Sequence, residues 1–369
     1  MADKKAELLA KLPKPKTRPK TPVWEGPSGD GPQGGVTFSM LSRFLTCRER
    51  FRLRVVEGLR PAEQFNHRIE YGNMWHVCEE AAAAAVPNVR RWEVDLLEYA
   101  KGLSRKYPLA QEQVSHWYEV CRLQFAEYLK FWRSRTKADK TTLLLAEQVF
   151  DVPYRLPSGR TVRLRGKWDS VFLRAGGVWL MENKTKGEID ETAIKRQLTW
   201  DLQTMIYLVA YNSYENGDRG NDIVGVRYNV IRRPLSGGKG TIIRLKPSKS
   251  NPQGESREAY YDRVAQYIKD EPQSYFMRWD VNVSPPDVAR FRRECLDPIL
   301  ENLCVWYDFV TAGDPWRREA LNYGTHWRHP FGCDNSVDTW GSSDVDSYLE
   351  SGTEVGLERT TNLFPELTT

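Results

Sequence analysis

The chain has 369 residues, 40% hydrophobic and 12% aromatic, with a formal net charge of +5. That is enough apolar material for one large domain or two modest ones. No run approaches the ~18 apolar residues of a membrane span. Met1-Ala-Asp-Lys-Lys has no apolar signal core behind it, so a cytoplasmic protein is expected. Six cysteines, Cys47, Cys78, Cys121, Cys295, Cys304 and Cys333, are widely spaced with no CxxC pair. Reduced thiols fit that usage.

The small net charge conceals an asymmetry. The first twenty residues hold seven Lys or Arg against two acids, interleaved with Pro13, Pro15 and Pro19. Residues 1–36 therefore read as a disordered basic arm ending in a Gly/Pro-rich linker. Residues 334–369 hold eight acids and one arginine and read as an acidic flexible tail. The body between them is net basic, which suits a polyanionic partner.

Residues 37–140 read as a helical segment. Thr37 to Leu53 has Leu41, Phe44, Leu45 and Phe51 near helical spacing, with Ser39 or Ser42 as cap. A second helix carries Gly72, His76 and a run of alanines, and Pro108 divides residues 90–135 into two more. From Thr141 the texture changes. Leu143–Val152 and the two runs that follow read as strands. A long helix over 190–216, strands at Ile223–Ile231 and Thr241–Leu245, and a helix at Glu255–Ile268 come next. A strand at Tyr275–Val283 and a final helix over Asp287–Val310, with Cys295 and Cys304 in its core face, complete residues 141–333. The class is α/β, a mixed sheet flanked by helices behind an N-terminal helical segment. Gly237-Gly-Lys-Gly240 lacks the spacing of a phosphate-binding loop and reads as a turn.

The chemistry concentrates in one hairpin. Thr161–Leu173 and Val178–Thr185 are separated by little more than Ala175-Gly-Gly177. A two-residue Ala175-Gly176 loop pairs Val171 with Leu180, Leu173 with Val178, and Asp169 with Glu182. Two opposed carboxylates repel, and a divalent cation between them removes the conflict. Lys184, two residues on, lies on the same face as Glu182. A plain three-residue loop would instead place Glu182 opposite, unless a glycine bulge restored the phase. The apolar pairs favour the first register.

Downstream, Gln203 and Tyr207 are four apart on one helix face. The succession Gly72-x-x-x-His76, Gly166-x-x-Asp169, Glu182-x-Lys184-Thr185 and Gln203-x-x-x-Tyr207 resembles the PD-(D/E)XK nuclease superfamily. Within it, the order is similar to the RecB-like branch of phage exonucleases and CRISPR adaptation nucleases. The Ser39–Phe51 segment with Cys47 also resembles that branch's first motif. The resemblance implies a restriction-endonuclease-like core and a metal-dependent DNA exonuclease, in a host cytoplasm if the source is a phage. It implies Mg²⁺ or Mn²⁺ held by His76, Asp169, Glu182 and the Asn183 carbonyl. Lys184 would orient the attacking water and stabilise the phosphate, aided by Gln203 and Tyr207. Gly72 and Gly166 would permit close backbone approach, and Thr185 would brace the strand end. Arg163, Arg165 and Lys167 lie on the Asp169 face and are candidate DNA contacts. Glu80, one turn after His76, is a solvated helix position or an added ligand.

Several relatives hold an iron–sulfur cluster on four cysteines. Here only Cys47 and Cys333 match, so an intact cluster is not expected. A zinc site with His326 or His329, or a lost cluster replaced by packing, remains. No motor motif is present, which suggests DNA that is single-stranded or has free ends, or a separate helicase or recombination partner. A catalytically silent DNA-binding scaffold of the same fold is the competing expectation.

Overall fold

The structure is a computed structural model that describes residues 22–61, 64–84, 91–135, 141–199, 201–214, 223–234, 244–312 and 357–367. In chain order these form α1 (Phe38–Thr46), β1 (Leu59–Pro61), α2 (His67–Ala84), α3 (Arg91–Lys106), α4 (Gln111–Arg135), β2 (Thr141–Arg155), β3 (Thr161–Arg174) and β4 (Gly177–Lys186). Then follow α5 (Glu191–Thr199), α6 (Leu202–Tyr214), β5 (Ile223–Arg232), α7 (Arg257–Asp270), β6 (Phe276–Asn282), α8 (Pro285–Phe291), α9 (Asp297–Thr311) and β7 (Leu357–Arg359). No helix among the described residues is long and apolar enough to cross a membrane.

Two compact units emerge, and they do not follow boundaries at residues 36, 140 and 333. One takes Met1–Glu63, Asp151–Arg165 and Cys295–Thr369; the other takes Gln64–Phe150 and Gly166–Glu294. The mixed sheet has the order β2-β3-β4-β5-β6. The β3–β4 and β5–β6 pairs are antiparallel, whereas β4–β5 is parallel. A parallel pair needs a crossover, and α5 and α6 supply it. In the second unit α6 lies on one sheet face, where the Tyr228 hydroxyl donates to Thr204 Oγ1 at 2.9 Å. On the other face α2, α3, α4 and α7 share a core with Ile231 and Phe276. Trp75 sits at its centre, edge-on to Phe125 and Tyr128 at 5.1 Å each.

The first unit corrects the expected arm and tail. Residues 1–21 lie outside the described residues, but residues 22–36 are folded. Trp24 is buried, its indole donates to Gly35 O, and its ring packs on Phe51 and Tyr307. The glycines that suggested a linker instead make tight turns, with φ of +93° at Gly26 and +89° at Gly35. The end of the acidic segment is likewise tied down. β7 pairs with β1, Leu59 against Arg359, and Phe364 is buried beneath the Arg165 guanidinium at 4.3 Å. Acidic composition hid that short apolar anchor.

Smaller differences have local causes. Thr37, not Ser39 or Ser42, caps α1 by accepting from Met40 N–H. The expected 190–216 helix is two, because Asp201 accepts from Thr204 N–H and starts α6 afresh. The final helix carries a π turn at Arg292–Leu296 before Asp297-Pro298, where proline removes a ladder donor. Cys295 there is exposed rather than core, while Cys304 is buried. Leu245 is in no strand, and residues 241–243 lie outside the described residues, as do residues 237–240 and Cys333.

Candidate active site

The β3–β4 hairpin has the two-residue loop, with Ala175 at φ +49° and Gly176 at φ +79°. Positive φ at both central residues matches the twist of the flanking strands. The register runs from Arg174↔Gly177 through Val171↔Leu180 to Ser170↔Met181. The ladder stops there, one step short of Asp169 and Glu182. Asp169 Oδ2 instead accepts the Asn183 backbone N–H at 2.6 Å, so a side chain bridges the strands where pairing ends. That leaves its other oxygen, Oδ1, toward α2, 3.7 Å from His76 Nδ1.

A third carboxylate, not singled out from the sequence, completes this group. Glu147 Oε1 is 3.3 Å from His76 Nδ1, and Oε2 is 2.7 Å from Lys167 Nζ. Ligand atoms of His76, Glu147 and Asp169 all lie within 4.8 Å of one another. Glu147 sits in the strand with φ +48°, a strained conformation for a residue with a Cβ. An acid closing the apolar run Leu143-Leu-Leu-Ala was the available signal.

Glu182 is fully buried, and its two oxygens differ. Oε2 accepts from Lys184 Nζ at 3.0 Å, while Oε1 has no hydrogen-bond partner among the described residues. Lys184 Nζ also donates to Gln203 Oε1 at 2.5 Å, and Gln203 Nε2 donates to the Tyr207 hydroxyl at 3.2 Å. Lys184, Gln203 and Tyr207 thus form one chain anchored on α6. On the opposite side of β4, Asn183 Oδ1 accepts from Asn229 Nδ2 at 2.6 Å. Asn229 also donates to Tyr128, and Arg278 Nε donates to Asn229 Oδ1.

The charges explain the titration behaviour. Burial alone would lower His76, but the Asp169 and Glu147 carboxylates lift it to about 9. Burial raises Glu182 to about 8 despite Lys184, and Asp169 pushes it the same way. Burial also raises Asp169, against the pull of His76. Burial would lower Lys184, yet Glu182, Asp201 and Asp169 hold it above the usual lysine value. The site is therefore a proton-loaded acidic pocket with a committed ammonium.

A divalent cation fits this donor set: hard carboxylate oxygens, one imidazole, and a buried oxygen without a partner. Because His76 and Glu182 retain protons at neutral pH, a cation must displace them. Mn²⁺ affinity should therefore rise about tenfold per pH unit, per proton released, between pH 6 and 9. Calorimetric titration in buffers of different ionisation enthalpy measures both slope and protons; a pH-independent affinity contradicts the site.

The glycines behave unequally. A Cβ on Gly166 would stand 2.5 Å from Phe150 Cζ and 3.1 Å from the Tyr207 ring, while one on Gly72 would only touch Thr185 Oγ1 at 3.4 Å. Gly166→Val should cost about 1–3 kcal/mol and push Tyr207 off Gln203. Thermal melting together with kcat checks this, and Gly72→Ala serves as the milder comparison.

The expected DNA contacts at Arg163 and Arg165 are otherwise employed, which corrects that reading. In the first unit Arg163 pairs with Asp151 and donates to the carbonyls of Gly29 and Gly31. Arg165 pairs with Asp151 and donates to those of Pro32 and Gly34. Backbone turns that expose carbonyls attract guanidinium groups, and no local pattern signals that these turns fold against β3. Lys167 is bound to Glu147, and Glu80 is half-exposed 4.0 Å from it. Cys47 is buried, its sulfur accepting from Arg50 N–H at 3.5 Å.

A family model described as the PD-(D/E)XK nuclease superfamily matches residues 36–295, well over half the chain. The chain belongs to the PD-(D/E)XK nuclease superfamily. No curated protein matches the chain. The family supplies the fold expected here, a mixed sheet between helices, and nucleases of this superfamily generally use divalent metal ions. His76, Asp169, Glu182, Lys184, Gln203 and Tyr207 all fall within the matched span.

Proposed function

We propose that this PD-(D/E)XK protein is a Mg²⁺- or Mn²⁺-dependent DNA exonuclease of the RecB-like branch. The observation that carries this reading is the buried Glu182 Oε1 without a partner, beside the His76–Glu147–Asp169 group and the Lys184–Gln203–Tyr207 chain. A scaffold with a silent site has no use for such a costly arrangement.

Asp169, Glu182, the Asn183 carbonyl and His76 would hold the ion. Bound there, it would lower the pKa of a water and offset charge on the phosphate. The protein's own groups do the rest. Glu147 Oε1, 3.3 Å from His76 Nδ1, fixes the ring beside Asp169. Lys184, kept as an ammonium by its acidic neighbours, stabilises the negative charge that builds on the phosphate instead of acting as a base. Gln203 fixes its Nζ, and Tyr207 fixes the Gln203 amide. The exonucleolytic mode is supported by the histidine on the helical segment, which the resemblance associates with exonucleolytic members.

Incubation with Mn²⁺ and end-labelled linear DNA, beside the same sequence as a closed circle, tests the proposal. Progressive shortening of linear DNA with intact circles is expected. Nicking of circles would overturn the exonuclease reading, and DNA binding without cleavage would favour the scaffold.

A further inference from the structure

Arg233 is an anomaly in the second unit. It follows β5 and is only 7% exposed, yet Nε and Nη1 have no hydrogen-bond partner among the described residues. Its strongest charged neighbour is another arginine, Arg68, whose field together with burial holds Arg233 below the usual arginine value. Against these stands the Tyr71 hydroxyl, which is neutral. A buried guanidinium beside a like charge is costly unless an anion completes the site.

The surroundings fit an anion. Arg68 and His67 open the 18-residue α2, so the positive end of its dipole adds to the cationic field. His67 is held below its usual value by burial and by Arg233 and Arg68, so it adds a neutral ring, stacked on Trp117 at 4.9 Å. The acid in this first turn, Glu70, is engaged elsewhere: Tyr99 and Tyr107 donate their hydroxyls to it, and so does the Asn73 amide. Asn66 takes up the first-turn amides, its Oδ1 accepting from Arg68 N–H and its carbonyl from Ile69 and Glu70 N–H, so the anion's partners here are side chains.

Position relative to the acidic site names the anion. Arg233 N–H donates to Lys186 O at 2.8 Å, two residues beyond Lys184 on β4. That is about 7 Å along the strand. Nine residues of α2 separate His67 from His76, about 13 Å of helix. The helix thus runs from the cationic end to the acidic site, a track suited to a chain with phosphates at regular intervals.

We propose that Arg233 and Arg68, at the start of α2, bind a phosphate of the nucleic-acid strand close to the one being cleaved. The proposal rests on the nuclease reading for its choice of ligand, but its test does not. A short fluorescein-labelled single-stranded DNA is bound to the full chain without divalent ions across a salt series, for wild type, Arg233→Gln and Arg68→Ala. Each variant should weaken binding roughly tenfold and flatten the log K against log salt slope by about 0.7. With Mn²⁺, an uncharged methylphosphonate beside the scissile bond should slow wild type roughly tenfold through KM, and slow Arg233→Gln hardly further. Arg68 is exposed, so its variant decides the matter if Arg233→Gln fails to fold. Unchanged salt slopes in the folded variants overturn the proposal, even if the wild type cleaves. Flattened slopes with no cleavage by wild type sustain the phosphate site and defeat the nuclease reading.

Discussion

Glu182→Gln is expected to abolish cleavage and yet to stabilise the metal-free protein at alkaline pH. The loss of activity follows from removing a buried anionic ligand from the proposed metal site, at least about 10³-fold in kcat. The gain in stability follows from the unpartnered oxygen. Glu182 titrates near 8 in the folded protein against an ordinary 4.5. The folded state therefore holds the proton more tightly than the unfolded chain. The contribution to stability is fully present below about pH 4.5, and declines as pH rises towards 8, where the folded carboxyl ionises. His76 adds to the same trend, since its raised pKa of about 9 confers stability that is lost as pH climbs through that value. Glutamine cannot ionise, so above pH 8 the variant should exceed the wild type by a few kcal/mol, or several degrees in Tm. Melting curves at pH 6 and pH 9 measure it, and a variant less stable than wild type at both pH values would contradict the role given to burial.

Lys184→Ala should also lose activity, and should oppose that variant in stability. Removing the ammonium takes away the charge proposed to stabilise the phosphate, worth about 10²–10³ in kcat with KM little altered. It also strips Glu182 of the partner at 3.0 Å, leaving both oxygens unpaired in a buried position. Breaking one side of a buried pair costs about 3–5 kcal/mol once the remaining group is charged. The cost should thus grow from pH 6 to pH 9. Lys184→Arg should not restore activity, because a planar guanidinium cannot replace a single Nζ shared by Glu182 Oε2 and Gln203 Oε1. Single-turnover cleavage with melting at both pH values tests the pair of predictions. Equal stability changes for Glu182→Gln and Lys184→Ala would refute the proposed coupling.

The hairpin was legible because a two-residue turn fixes the whole register behind it, and side-chain alternation then fixes the faces. That logic reached as far as Ser170 and Met181. It could not foresee that the ladder ends there and that Asp169 reaches across to Asn183 N–H. Gln203 and Tyr207 were legible from helical spacing, but the break before them at Asp201 was not, since an apolar helix pattern continues through it. Glu147 was missed because it is brought to His76 by tertiary packing, 71 residues away in the chain. Arg163 and Arg165 misled for the opposite reason: surface-like arginines on a strand face hold the turns at Gly29 to Gly34. Local pattern located the catalytic candidates on their elements, while non-local contacts decided what each side chain touches.

The most direct test of the metal centre is anomalous diffraction from crystals of the full chain soaked in Mn²⁺. The expected result is a peak contacted by Asp169, Glu182 and His76, and its loss in Glu182→Gln. Bound Mn²⁺ elsewhere in the chain, with this cluster left without a peak, would contradict it.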